Sequence, residues 1–160
     1  MGSVFCSHCR EVLHECQCTI PDALVQRAIY KGNPPAREFS SLVGETITEV
    51  LIPDDQEYVA FVLASGAIVG LTHFQGCCEA VWLEEVIGEW SWLIGRPLVR
   101  AEETDSQHVE RDGSQTWTFY TLATSEGTVT MRWCGESNGY YSESVDVFDV
   151  VVPGGPADAP

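Results

Sequence analysis

Leu42-Val43-Gly44, running on to Ile47, and Leu93-Ile94-Gly95, running on to Leu98, are one phrase written twice. The correspondence continues outward from that pair. Leu63-Ala64-Ser65-Gly66 is answered by Leu122-Ala123-Thr124-Ser125-Glu126-Gly127, and His73-Phe74-Gln75-Gly76 by Arg132-Trp133-Cys134-Gly135. Cys78-Glu79-Ala80-Val81 then meets Ser142-Glu143-Ser144-Val145. Residues 42–83 and 93–147 are therefore read as two copies of one unit. Two such copies pack about a pseudo-twofold, which turns equivalent loops toward a shared groove.

Each copy predicts the same run of elements. A short strand (Thr46–Ile52 or Leu98–Glu102) leads into a polar loop, Pro53–Asp55 in the first copy and the longer Thr104–Ser114 in the second. A hairpin follows: Glu57–Leu63 with Ala67–Thr72, or Gln115–Thr121 with Thr128–Trp133. The second alternates Trp117 and Phe119 against Thr116, Thr118 and Tyr120. A fourth strand, Glu79–Val86 or Ser142–Val150, closes its own unit, although 79–87 also fits a helical period. One short helix over Gly88–Gly95 joins the copies. The fold class is α+β, mostly β: a pseudo-duplicated antiparallel β domain over 41–152.

Ahead of it lies a different module, residues 1–40. Four of the seven cysteines fall in Cys6-x2-Cys9-x6-Cys16-x-Cys18. Two thiolates on a Cys-x-x-Cys turn and two on a returning arm complete a tetrahedral shell, which makes the expected cofactor a structural zinc. His8 and His14 are spare ligands. This thirteen-residue spacing resembles the small motif near the N-terminus of archaeal translation factors of the initiation-factor-one type, a resemblance that implies no function. A segment so short and polar cannot bury enough apolar surface to fold unaided, so a metal answers a physical need. Thr19-Ile20-Pro21-Asp22 then reads as a capping box opening a helix, which Gly32 and Pro34-Pro35 stop. Residues 32–40 read as a linker, and 153–160, rich in proline and glycine, as a disordered tail.

Charge divides along the same line. The chain carries 8 basic and 24 acidic side chains. Four of each lie in residues 1–40, so the whole net charge of −16 belongs to the duplicated part. Such a surface repels duplex DNA, whose affinity for proteins comes largely from Lys and Arg on phosphates. No apolar run reaches the roughly 18–20 residues needed to span a bilayer. Neither a secretory leader nor a myristoylation pattern opens the sequence. These features predict a cytoplasmic protein with no membrane association.

Within the second copy, Gly135-Glu136-Ser137-Asn138-Gly139-Tyr140-Tyr141-Ser142-Glu143-Ser144-Val145 holds more hydrogen-bonding side chains than a turn requires. With His73, Cys78, Glu79 and Arg132 brought opposite by the repeat, Glu136, Ser137, Asn138, Tyr140, Tyr141 and Glu143 make the predicted ligand-binding set. A catalytic alternative gathers His73, Cys77 or Cys78, Glu79, Arg132 and Glu143, with a thiol as nucleophile beside an imidazole base.

Taken with Thr116-Trp117-Thr118-Phe119-Tyr120 and Gly76-Cys77-Cys78-Glu79, this motif makes residues 42–147 resemble an uncharacterised domain family found mainly in bacteriophage genomes. Gly76, where the family has an acidic residue, and Cys134, where it has an aromatic, depart from the pattern. The resemblance implies a phage accessory protein acting in the host cytoplasm and implies no activity. The expected role is a non-catalytic acidic binding or inhibitor protein, for host takeover or counter-defence, whose inter-repeat groove takes a host protein with a basic surface. Sequestration of a small signalling ligand, a Cys/His-dependent enzyme and a minor virion component are the alternatives.

Overall fold

The computed structural model describes residues 5–7, 9–13, 15 and 17–153. Eight strands form two four-stranded antiparallel sheets. The first sheet contains β1 (Ile47–Leu51), β2 (Val59–Leu63), β3 (Ile68–Thr72) and β8 (Asp146–Val150), in that order. The second contains β4 (Ala80–Ile87), β7 (Gly127–Ser137), β6 (Gly113–Thr124) and β5 (Arg100–Glu110). Each sheet thus takes three consecutive strands from one half of the chain and its fourth from the other. The expectation that each unit closes with its own fourth strand is corrected: β4 pairs with β7, and β8 with β3.

The order of strands is the same in both sheets when read by position in the repeat, and the entry to each half is built alike. A one-turn 3₁₀ segment, Phe39–Leu42 or Trp90–Trp92, precedes each Leu-(Val/Ile)-Gly phrase. Gly44 and Gly95 sit at φ 91° and 80°, the left-handed region that favours glycine. Their amides cross over reciprocally, Gly44 N–H donating to the Leu98 carbonyl and Gly95 N–H to that of Ile47, each at 2.8 Å. The glycines therefore let each half hydrogen-bond the start of the other.

Alternation places the core. β6 turns Thr118, Tyr120 and Leu122 inward and β7 turns Val129, Met131 and Trp133 inward. These meet Val59, Phe61, Leu63, Val69 and Leu71 across the interface between sheets. Burial of each such side chain contributes about 1.5–3 kcal/mol. The outer face of the first sheet carries Tyr58, Ala60, Ile68, Phe148 and Val150, covered by Leu24 and Val25 of α1 (Pro21–Lys31). The layers run helix, sheet, sheet.

Two local expectations change. The stretch Thr104–Ser114 is not a loop: β5 and β6 continue through it to a tight turn at Arg111 and Asp112. Its outer half lies at a sheet edge with both faces exposed, so no apolar alternation marks it. The helix cap is Ile20, without a side-chain cap bond, because Pro21 holds the preceding residue extended. Asp22 accepts instead from Ser7, Gln26 and Tyr58. Residues 35–37 run beside β8, where Arg37 N–H donates to Val147 and Asp149 N–H to Pro35. Arg37 also pairs with the Asp149 carboxylate at 3.0 Å. No described helix is long and apolar enough to cross a membrane.

Candidate functional site

The chain crosses from one sheet to the other twice, between β3 and β4 and between β7 and β8, and the predicted site residues gather at these crossovers. Each crossover ends on a buried glutamate. Glu79, 4% exposed, accepts from the backbone amides of Gly76 and Cys77 and from His73 Nε2 at 3.0 Å. The His73 contact first, then the Gly76 amide, hold its carboxyl down to about 2. Glu143, 6% exposed, accepts from the hydroxyls of Ser114, Ser137 and Thr116, the last at 2.7 Å. Burial pushes its pKa up, and the three hydroxyls outweigh that and hold it below the ordinary carboxylate range.

His73 joins the two crossovers. Its Nδ1 lies 2.8 Å from the Ser144 carbonyl while Nε2 meets Glu79. Both neighbours offer acceptor oxygens, so the ring bridges the two crossovers. Tyr141 packs beside Gly76, where a β-carbon would stand 3.4 Å from its ring. Asn138 accepts from the Tyr140 amide and Ser137 from the Gly139 amide, both at 3.0 Å, which is turn chemistry. Tyr140 stands free of the core at 83% exposure, edge-on to Tyr141.

His73, Cys78, Glu79, Ser137, Tyr141 and Glu143 thus fall in or beside the crossovers, as the repeat implies. Arg132 and Glu136 do not join them. They lie on the outward face of β7, Arg132 pairing with Glu85 at 3.1 Å and covering the Trp117 ring, Glu136 taking Gln115 at 2.9 Å. The repeat equates Arg132 with His73, but β7 extends to Ser137 whereas β3 ends at Thr72, so strand parity governs one and a loop the other. Cys78 is joined to its neighbour Cys77 in a disulfide. Burial, with Glu136 nearby, pushes the buried Cys134 thiol up.

At the N-terminal module, Cys6, Cys9 and Cys18 bring their sulfurs within 4.8 Å of one another, close enough to bind a metal ion. Cys6 N–H donates to Glu11 O at 2.8 Å and Arg10 N–H to Cys6 O at 3.0 Å, with Arg10 at φ 66°. This closes a knuckle under which Cys6 and Leu13 are buried against Ala23 of α1. Thiols in that arrangement fit a thiophilic ion. The expected fourth ligand Cys16, and the spare ligands His8 and His14, lie outside the described residues.

One hollow was not anticipated. A cleft of about 660 Å³ opens between the end of α1 (Ile29, Tyr30), the turn at Asp55–Glu57, the segment His73–Gln75 and the β4/β7 edge with Trp82 and Trp133. Of the ten predicted ligand-binding residues His73 alone lines it. Burial, then the neighbouring Asp55, raises the pKa of Glu57. The polar turn Pro53-Asp54-Asp55 is visible in the sequence, but nothing local says that a helix end lands across from it.

Two layered antiparallel sheets with exchanged fourth strands, a covering helix and a cysteine knuckle define a small, mostly β protein. A family model for a domain of unknown function, DUF7448, matches residues 40–147, and the chain belongs to that family. No curated protein and no solved structure matches it.

Proposed function

We propose that the protein is a phage accessory factor that works in the host cytoplasm as a non-catalytic, acidic binding protein. It captures a host protein through a basic surface, for host takeover or counter-defence. The observation that carries this reading is the surplus of twenty acidic over four basic side chains from residue 41 onward. The polar groups a catalyst would deploy are engaged elsewhere: Glu79, Glu143 and both nitrogens of His73 hold the crossovers together. Along β5 four exposed carboxylates, Glu102, Glu103, Asp105 and Glu110, face solvent beside one arginine, Arg100. The ion at Cys6, Cys9 and Cys18 is zinc, with Cys16 as fourth thiolate, and its role is to hold the knuckle.

Affinity purification from infected cells at low and high salt tests this. The expected result is a soluble, stoichiometric complex with a basic host protein that dissociates as salt screens the contact. Recovery of the protein only with virus particles, or alone at low salt, overturns it. Metal analysis of the same material gives one zinc per chain; a mass deficit from disulfides among the four N-terminal cysteines overturns the zinc assignment.

A further inference from the structure

The crossover from β3 to β4 carries sulfur chemistry at its tip. Cys77 and Cys78 are joined through their sulfurs, so a small ring closes around the peptide bond they share. Both residues are exposed. Cys134, by contrast, is 1% exposed, and burial pushes its thiol up, which makes it a poor nucleophile. Cys6, Cys9 and Cys18 face one another at the knuckle. Outside the knuckle, the adjacent pair is therefore the sulfur that a solution thiol can reach. Exposed disulfides are the labile ones, and where cellular thiols are kept reduced such a bond serves redox sensing or catalysis.

The second observation is what the ring touches. Cys77 N–H donates to Glu79 Oε2 at 3.0 Å and Gly76 N–H donates to Oε1. The Gln75 side-chain amide donates to the Cys77 carbonyl at 3.2 Å and to the Glu79 carbonyl. The ring restrains the backbone torsions on either side of the Cys77–Cys78 peptide, which lie between those donating amides and the buried carboxylate that accepts from them. Glu79 in turn holds His73 Nε2, and His73 Nδ1 meets the Ser144 carbonyl of the other crossover. The Tyr141 ring, also of that crossover, packs against Gly76. A change in the ring is thus passed on by two contacts to the segment between β7 and β8.

We propose that Cys77 and Cys78 form a redox couple that exchanges with a small cellular thiol of the glutathione class, and that the state of the couple sets how firmly the two crossovers are held together, a property separate from the capture of a basic partner. In the reducing direction one glutathione thiolate attacks a sulfur of the pair, breaking the S–S bond and forming a mixed disulfide. A second glutathione attacks the glutathione sulfur of that mixed disulfide and releases the cysteine. Both cysteines end as thiols, having gained one electron and one proton each, and glutathione leaves as its disulfide. Opening the ring frees the torsions it restrained, and the amide cradle of Glu79 loosens.

The test equilibrates the full-length protein in glutathione buffers from fully oxidised to fully reduced. Acid quenching, alkylation and proteolysis then report the state of the peptide that carries Cys77 and Cys78 by mass spectrometry. The expected result is a disulfide at the oxidised end and two alkylated thiols at the reduced end. A pair still bonded at the reduced end, or alkylated at the oxidised end, overturns the couple. Amide hydrogen exchange read by NMR on the same samples tests the coupling. The Gly76 and Cys77 amides are expected to exchange about tenfold faster once reduced, while those of Val59–Leu63 in β2 are unchanged. Equal rates at Gly76 and Cys77 in both states, or a rise in β2 of the same size, overturn the link to the crossovers. Cys77→Ser/Cys78→Ser is expected to show the fast rates in both buffers; slow rates in this variant also overturn the link. Should the variant fail to fold, the measurements on the parent protein decide the matter by themselves.

Discussion

Replacing Glu143 by alanine distinguishes a carboxylate that holds the fold from one kept for a ligand. Its two oxygens collect three hydroxyl donors from β6, β7 and the edge of the hairpin, those of Thr116, Ser114 and Ser137. Hydrogen bonds to a charged group contribute about 1.5–3 kcal/mol each. Ser114 and Ser137 are half-buried and recover much of that from water, whereas Thr116 is 9% exposed and is stranded. Removing the buried carboxylate also removes its own desolvation cost. The net expectation is a loss of about 2–3 kcal/mol, or about 5–10 °C in Tm for a chain of this size. Glu143→Gln keeps one acceptor oxygen and loses about half as much. Urea denaturation followed by tryptophan fluorescence and by circular dichroism gives both values. A Glu143→Ala protein as stable as the parent, or more stable, refutes the reasoning, since functional residues typically trade stability for activity.

Glu79 makes the pH dependence predictable. Its pKa is lowered in the folded protein, so its stabilisation is full above about 4.5 and shrinks as pH falls toward about 2. The urea midpoint of the parent therefore drops through that window, and Glu79→Gln flattens the drop; an unchanged slope contradicts the assignment. At Gly70 a β-carbon would stand 2.7 Å from Phe148 Cε2, so Gly70→Ala is expected to cost about 1–3 kcal/mol through overpacking, read as a lower urea midpoint at unchanged m-value. A thiophilic chelator should strip one ion per chain and raise hydrogen exchange across the Cys6–Leu13 knuckle, while amides of β6 and β7 stay protected. Simultaneous loss of protection in both regions would mean that the knuckle and the sheets unfold as one.

Strand positions were legible because burial leaves a period of two, as at Trp117–Thr121 and Thr128–Trp133. The edge hairpin 104–114 was not, because a strand exposed on both faces has no apolar residue to alternate. The exchange of β4 and β8 leaves no local signal, since either sheet would accept the same side chains. The candidate residues were found by their repeat, and most lie at the crossovers; what the sequence does not show is that Glu79 and Glu143 are each ringed there by donors from this chain. That Asp55, Glu57 and Trp82 line one cleft was not legible, because the cleft exists only once the end of α1 is folded over the first sheet.

The exchanged strands also set a timetable for the ribosome. When residues 1–87 have emerged, the first sheet holds β1, β2 and β3 with β3's outer edge bare, and β4 has no sheet to enter. β7 must be synthesised before β4 is seated, and the bare edge waits for β8 at residues 146–150. An open strand edge invites pairing with other nascent chains, so two ribosomes on one message risk trading fourth strands between their products. The reciprocal bonds of Gly44 and Gly95 work against that trade, because they clasp the two halves of a single chain before its last strand arrives.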